Sequence, residues 1–148
     1  MIRPTMKDTF AAILTTLESR STCRRLKVAA LLVKDDRIIS MGWNGTIMGH
    51  THCTEHFDTH NEEDFLKEHH DWSMKNELHA ELNAIAFAAK QGISTNGSDL
   101  FVSISPCVNC ANLIIAAGVS RVYYKKMYDR STDGLEKIKA AGIITGKL

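Results

Sequence analysis

Two short segments constrain this chain more than anything else in it. The first is His79-Ala80-Glu81, which opens an Ala-rich apolar run. The second is Pro106-Cys107-Val108-Asn109-Cys110, whose first cysteine follows His79 by 28 positions. One imidazole and two thiolates are three ligands for Zn²⁺, so a fold that uses them must bring the two segments together. A set of three protein ligands leaves a fourth position open for water, the mark of a catalytic rather than a closed structural zinc. Glu81 is not needed as a ligand and is placed to move protons beside the metal. Cys107 and Cys110, three residues apart, face one side of a helical turn. The positive end of a helix there favours the ionised thiols. A lone C-x-x-C is compatible with a structural zinc, and a lone His-x-Glu carries little information. Together, at the starts of two helices, they favour the catalytic reading, because nothing adjacent supplies a fourth protein ligand.

The remaining pattern is that of one α/β domain spanning residues 1–148, without repeats, linkers or low-complexity tracts. Phe10, Ile13, Leu14 and Leu17 recur at helical spacing and predict a helix over 5–20. The apolar run Val28–Val33, the polar turn Lys34-Asp35-Asp36-Arg37 and the segment Ile38–Met41 predict an antiparallel hairpin. Residues 42–58 read as a long Gly- and His-containing loop, a length that implies function or an external tether. Helices are expected over 61–70, 80–90, 107–117 and 133–141, and strands over 100–104, 119–124 and 143–144. The second half alternates α and β, which implies a parallel-containing sheet with helices on its faces.

These segments carry a resemblance. His79-Ala80-Glu81-Leu82-Asn83-Ala84-Ile85, Ser105-Pro106-Cys107-Val108-Asn109-Cys110 and Gly42-Trp43-Asn44-Gly45-Thr46 together resemble the phage-type deoxycytidylate (dCMP) deaminases of the cytidine deaminase superfamily. The H-x-E…P-C-x-x-C pattern marks zinc nucleobase deaminases in general, and the Gly-aromatic-Asn-Gly loop points to the dCMP branch. The resemblance runs from about residue 21 to 142. It implies a three-layer α/β/α fold with a central mixed five-stranded sheet. It implies hydrolysis of dCMP to dUMP and ammonia, which supplies dUMP for dTMP synthesis. In that reaction His79, Cys107 and Cys110 hold the catalytic zinc, zinc-bound hydroxide attacks C4, and Glu81 shuttles protons. Asn44 would hydrogen-bond the deoxyribose, backbone groups of Ala80 and Ser105 would read the cytosine edge, and Tyr128 would close over the nucleotide. Asn44-Gly45 is by itself also a common turn dipeptide, and Tyr123 and Tyr124 lie close to Tyr128. Trp43 replaces the usual Tyr of that loop, Ala29 stands where Val-Gly-Ala is typical, and Ile47-Met48 replace a proline-containing stretch.

Cys23, Cys53, His69 and Glu77 resemble, in residue type and spacing, a second and structural zinc site of the phage-type enzymes. A closed S/S/N/O shell suits tetrahedral Zn²⁺ and would order a long polar loop. His50, His52, His56, His60, His70, Glu55 and Asp58 are rival ligands in the sequence, and free thiols at Cys23 and Cys53 are the plainer alternative. A phosphate dianion needs cations or backbone N–H groups. Arg24, Arg25 and Lys27 cluster just before the first strand, with Arg25 the first choice, although such runs are often simply solvated.

The helix beginning at Ala80 and the one after Cys107 are apolar over most of their circumference, so each must bury several faces. The resemblance implies a homo-hexamer, activated by dCTP with Mg²⁺ and inhibited by dTTP. Phe87 and Lys90 fall where phage-type enzymes carry residues tied to assembly and that regulation. Lys90 lacks the bidentate fork of the arginine more usual there. Competing readings are a deaminase of dCTP, CMP, cytosine, a pterin-like base or tRNA adenosine, or a non-catalytic zinc or nucleotide-binding module. Retention of Glu81 argues against the last. Net charge is +1, from 18 basic and 17 acidic residues, which gives no electrostatic footprint for nucleic acid. No apolar run reaches the roughly 20 residues of a membrane span and no secretory pattern opens the chain. A cytoplasmic protein is expected, in which cysteines read as metal ligands before disulfides.

Overall fold

The computed structural model describes residues 2–148. Helix α1 (Met6–Glu18) starts at a capping box in which the Thr5 hydroxyl accepts from the Asp8 N–H and the Asp8 carboxylate accepts from the Thr5 N–H. Strands β1 (Ala29–Lys34) and β2 (Arg37–Trp43) form the expected hairpin. Asp35 and Asp36 both take left-handed backbone angles (φ 49° and 57°). Two such residues match the right-handed twist of the strands they join.

Residues 42–58 are not the uninterrupted loop expected from sequence. They hold the end of β2, a two-residue strand β3 (Gly45–Thr46) and a single helical turn α2 (Cys53–His56). The next helix is also longer than its polar sequence implies: α3 covers Glu62–Asn76 and is capped by Asn61. It buries only Phe65 and His69, so its apolar periodicity is weak for a physical reason. Strand β4 (Glu77–Leu78) then pairs with β3, Gly45 against Leu78 and Thr46 against Glu77. Helix α4 (Ala80–Lys90), strand β5 (Asp99–Ile104), helix α5 (Val108–Ala116), strand β6 (Arg121–Lys126), helix α6 (Asp133–Ala140) and strand β7 (Ile144–Lys147) complete the chain.

The main sheet runs β2-β1-β5-β6-β7. Its first two pairings are antiparallel and its last two parallel. Both faces are covered, which explains why β1 is an unbroken apolar run rather than an alternating one. Ala29, Leu31 and Val33 pack with Phe10 and Leu14 of α1 on one face. Ala30 and Leu32 pack on the other with Ala80, Ala84 and Ala88 of α4, Ile114 of α5 and Ile138 of α6. The result is the three-layer α/β/α architecture with a mixed five-stranded sheet. A separate small core joins Cys23, Cys53, Phe57 and Phe65, with Trp72 against them. No helix of the described residues is long and apolar enough to cross a membrane.

Helix α4 is held hard against β2. A Cβ on Gly42 would lie 2.5 Å from the Ala80 carbonyl oxygen and 2.5 Å from the Ala84 nitrogen. The Ser40 hydroxyl donates to the Ala84 carbonyl (2.6 Å), and the Asn83 amide donates to the Trp43 carbonyl (2.9 Å). These contacts fix the start of α4, where the first motif lies.

Candidate functional site

His79 is the N-cap of α4 and Cys107 the N-cap of α5, and neither uses its side chain to cap its own helix. Both side chains are thereby released to meet each other. His79 Nδ1 lies 3.3 Å from Cys110 Sγ and 3.6 Å from Cys107 Sγ. The three donor atoms all lie within 4.8 Å of one another. Two helix N-termini converge there, and their partial positive charge favours thiolates. The Cys107 thiol is lowered to about 4 by its hydrogen bond with the Cys110 side chain, helped by His79. The same bond, with burial, pushes the Cys110 thiol up, and binding of a divalent cation requires its proton to leave. His79 is raised by its hydrogen bond with Cys107. Two sulfurs and one imidazole fit Zn²⁺ with one position open, and His79 is exposed. Glu81, the second residue of α4, is buried at 5% exposure, and burial raises its carboxyl above the usual range.

Beyond the C-terminal ends of β5 and β6 lies a cleft of about 240 Å³. Glu18, Leu26, Lys27, Ser103, Ile104, Lys126, Met127, Tyr128 and Asp129 line it. Ligands of α/β sheets bind at this strand edge, and β5 runs directly from the cleft into Cys107. Ser105 orders the rim. Its hydroxyl accepts from the Tyr128 N–H (2.7 Å), and its own N–H donates to the Lys126 carbonyl (2.9 Å). Ala80 is the first residue of α4, so its N–H has no intrahelical acceptor.

Of the basic cluster, Lys27 lines this cleft. The chain bends at Arg24–Arg25. Arg24 leaves in the other direction, donating to the Phe57 carbonyl (2.9 Å) and pairing with Glu62 (3.2 Å). Lys126 was missed in the sequence, although its place at the C-terminal end of a parallel strand is a signal for it. Asn44 is a built element rather than a loose turn. Its Oδ1 accepts from the Val28 N–H (2.8 Å) and its Nδ2 donates to the Leu26 carbonyl (2.7 Å). One amide hydrogen is left for a ligand, and the side chain also fixes the approach to β1 beside Lys27.

Cys23, Cys53, His69 and Glu77 come together in the small core, their four donor atoms within 4.8 Å of one another. Cys23 Sγ is 3.4 Å from His69 Nε2, and Glu77 Oε2 is 3.8 Å from it. The Arg24 N–H donates to Cys53 Sγ (3.3 Å). Burial pushes the Cys23 thiol up to about 12, raises Cys53 and Glu77, and lowers His69. Every group is thus driven to its neutral form, as expected where a cation's charge is needed to hold ligands ionised. Glu77 Oε1 is buried with no hydrogen-bond partner, an unmet acceptor that a metal would satisfy. The donor set fits tetrahedral Zn²⁺. The rival histidines are occupied or outside: His56 stacks on Trp72 (4.8 Å), His60 meets Glu68 (3.5 Å), and His50 and His70 are exposed.

Gly134 had no place in the sequence argument. A Cβ there would lie 2.1 Å from the Pro106 carbonyl oxygen and 2.6 Å from the Cys107 carbonyl carbon. The first turn of α6 therefore rests on the backbone that presents Cys107. Phe87 and Lys90 lie on the outer face of α4, away from the sheet, with Phe87 48% exposed.

Residues 5–126 match the family model described as the cytidine and deoxycytidylate deaminase zinc-binding region. The deoxycytidylate deaminase of Enterobacteria phage T2 is 34% identical, over 86% of this chain and 84% of its own. ComE operon protein 2 of Bacillus subtilis is 37% identical over 86% of this chain and 62% of its own. Among solved structures, the dCMP deaminase of cyanophage S-TIM5 in complex with dCMP and dUMP superposes with a TM-score of 0.80 at 36% identity, covering 100% of both chains. The mixed sheet, the His-Cys-Cys cluster at two helix starts and these likenesses have one explanation: the chain belongs to the cytidine and deoxycytidylate deaminase family.

Proposed function

We propose that this chain, acting as one 148-residue domain, hydrolyses dCMP to dUMP and ammonia. The observation that carries the reading is the open His79-Cys107-Cys110 cluster beside buried Glu81, and a cleft that presents two lysines lies at the end of the strand that leads toward Cys107. The relatives named for deoxycytidylate support the substrate class. A zinc ion held by the three ligands supplies an activated water at neutral pH. Glu81 would take one proton of the attacking water as its oxygen bonds to C4 and deliver it to N3, then move the remaining hydroxyl proton on C4 to the amine as the C4–N bond breaks and the C4 carbonyl forms. Its raised pKa suits a group that must hold a proton through part of the cycle. The Ala80 N–H and the Ser105 carbonyl read the base edge, since the Ser105 N–H is already engaged. Asn44 meets the sugar with its remaining amide hydrogen, Tyr128 covers the nucleotide, and Lys27 with Lys126 balances the phosphate.

The Cys23-Cys53-His69-Glu77 cluster takes a structural zinc. Assembly as a hexamer and control by dCTP with Mg²⁺ and by dTTP complete the reading. The apolar outer face of α4 around Phe87 and Lys90 supports a subunit contact there. Purified protein offered dCMP, CMP, dCTP, deoxycytidine and cytosine should release ammonia fastest from dCMP. Faster turnover of unphosphorylated cytosine or deoxycytidine would overturn the phosphate assignment.

A further inference from the structure

His52 stands among the histidines that could have ligated a metal, yet its ring nitrogen is engaged elsewhere. Its Nδ1 lies 3.1 Å from the Thr46 hydroxyl and 3.3 Å from the Thr22 hydroxyl. Each partner is tied to a different donor of the buried cluster. Thr22 precedes Cys23, His52 precedes Cys53, and Thr46 is the register partner of Glu77 in the β3–β4 pair. The His52 N–H also donates to Glu55 (2.8 Å), which pins the turn that begins at Cys53. The segment before Cys23, the turn at Cys53 and the strand paired with Glu77 thus meet at one imidazole. Thr46 further belongs to the loop that carries Asn44, and Glu77 is two residues before His79.

We propose that His52 is a positioning residue, a non-ligand clasp that holds these three segments in register and couples the buried cluster to the Asn44 loop. The inference rests on the zinc assignment of the buried cluster made above. A threonine hydroxyl rotates to donate or to accept; the clasp takes Nδ1 as the shared acceptor of both hydroxyls, which makes His52 the Nε2–H tautomer. Such partners commonly change metal affinity by ~10–100-fold when removed. The clasp touches no donor atom itself, so its effect falls at the lower end of that range.

The test begins with ¹⁵N NMR of histidine-labelled zinc-loaded protein. His52 Nδ1 should resonate as an unprotonated acceptor and shift when Thr46→Val removes one hydroxyl while keeping a β-branched strand residue. A protonated Nδ1, or no shift in the Thr46 variant, overturns the clasp. Zinc release to a chromogenic chelator and steady-state kinetics on dCMP are then compared for His52→Ala and His52→Asn. The alanine variant should release one of two zincs roughly tenfold faster. It should also raise KM roughly fivefold, the weight of an ordinary hydrogen bond, with kcat within about twofold. Asparagine, which keeps an acceptor near the Nδ1 position, should restore both. Equal damage from asparagine, or a loss confined to kcat, refutes the positioning role. If His52→Ala does not fold, the Thr46→Val release rate decides. A wild-type protein that holds a single zinc or leaves dCMP untouched counts against the proposed function, whereas the Nδ1 resonance still judges the clasp.

Discussion

The two cysteine-containing clusters use nearly the same donor atoms and are built in opposite ways. His79, Cys107 and Cys110 sit at the starts of two helices, with His79 open to solvent. Cys23, Cys53, His69 and Glu77 are sealed among Phe57, Phe65 and Trp72. The open cluster has three donors and a buried carboxylate nearby, so it can exchange a ligand and move a proton. The closed cluster has four donors and no access, so a metal there can only hold chain segments together. Ligand type therefore does not separate the two roles. Donor number, access and the neighbouring acid do.

The largest effect expected from this contrast comes from Glu81→Gln. Deamination should fall by at least ~10²-fold while zinc content, read by metal analysis, stays that of the wild type. Survival of activity would remove the proton-shuttle assignment. Cys53→Ser should act the other way round. It should lower the melting temperature by roughly 10 °C through lost metal-linked folding energy and leave one zinc per chain, counted by mass spectrometry. Unchanged stability and metal content would show that the closed cluster does not hold zinc.

A chelator series sharpens the same comparison. Metal should leave the open cluster before the closed one, so activity should disappear before the thermal transition moves. The reverse order would break the distinction drawn from burial. Gly134→Ala comes next, because the added Cβ must push α6 and the Cys107 backbone apart. A cost of about 1–3 kcal/mol is expected, together with a roughly tenfold loss of kcat from misplaced ligand geometry, and no change in the closed site. The smallest effect belongs to the Thr5–Asp8 cap, which touches neither cluster. Thr5→Ala should destabilise by about 1 kcal/mol without altering zinc content. Asp8 is held below its ordinary 3.8 by Thr5. Its contribution is thus present above that value and fades as pH falls through the lower folded pKa, an effect that urea titrations at acid pH can read.

Spacing alone exposed the open cluster, because its donors lie in two short motifs and each motif opens a helix. The hairpin, α1 and the alternating second half were legible for a similar reason: their apolar periods are strong and their turns carry recognisable residues. Residues 42–76 were legible only in part. β3, β4 and α2 are too short to show a period. α3 faces solvent around much of its surface, so its pattern marks little more than Phe65 and His69.

The sequence by itself determined the chemistry available: one imidazole and two thiols in two short motifs, with one acid two residues after the imidazole. It also determined the layered α/β order, since helix and strand periods are local properties. Only the tertiary structure decided which groups meet. It drew Arg24 to Phe57 and Glu62, brought Lys126 to the cleft, engaged His52 with two threonines, and set Gly134 beneath Cys107. These outcomes depend on where the chain bends and on how closely backbones approach. Both are settled by packing between segments far apart in sequence, so neither leaves a mark in residue spacing.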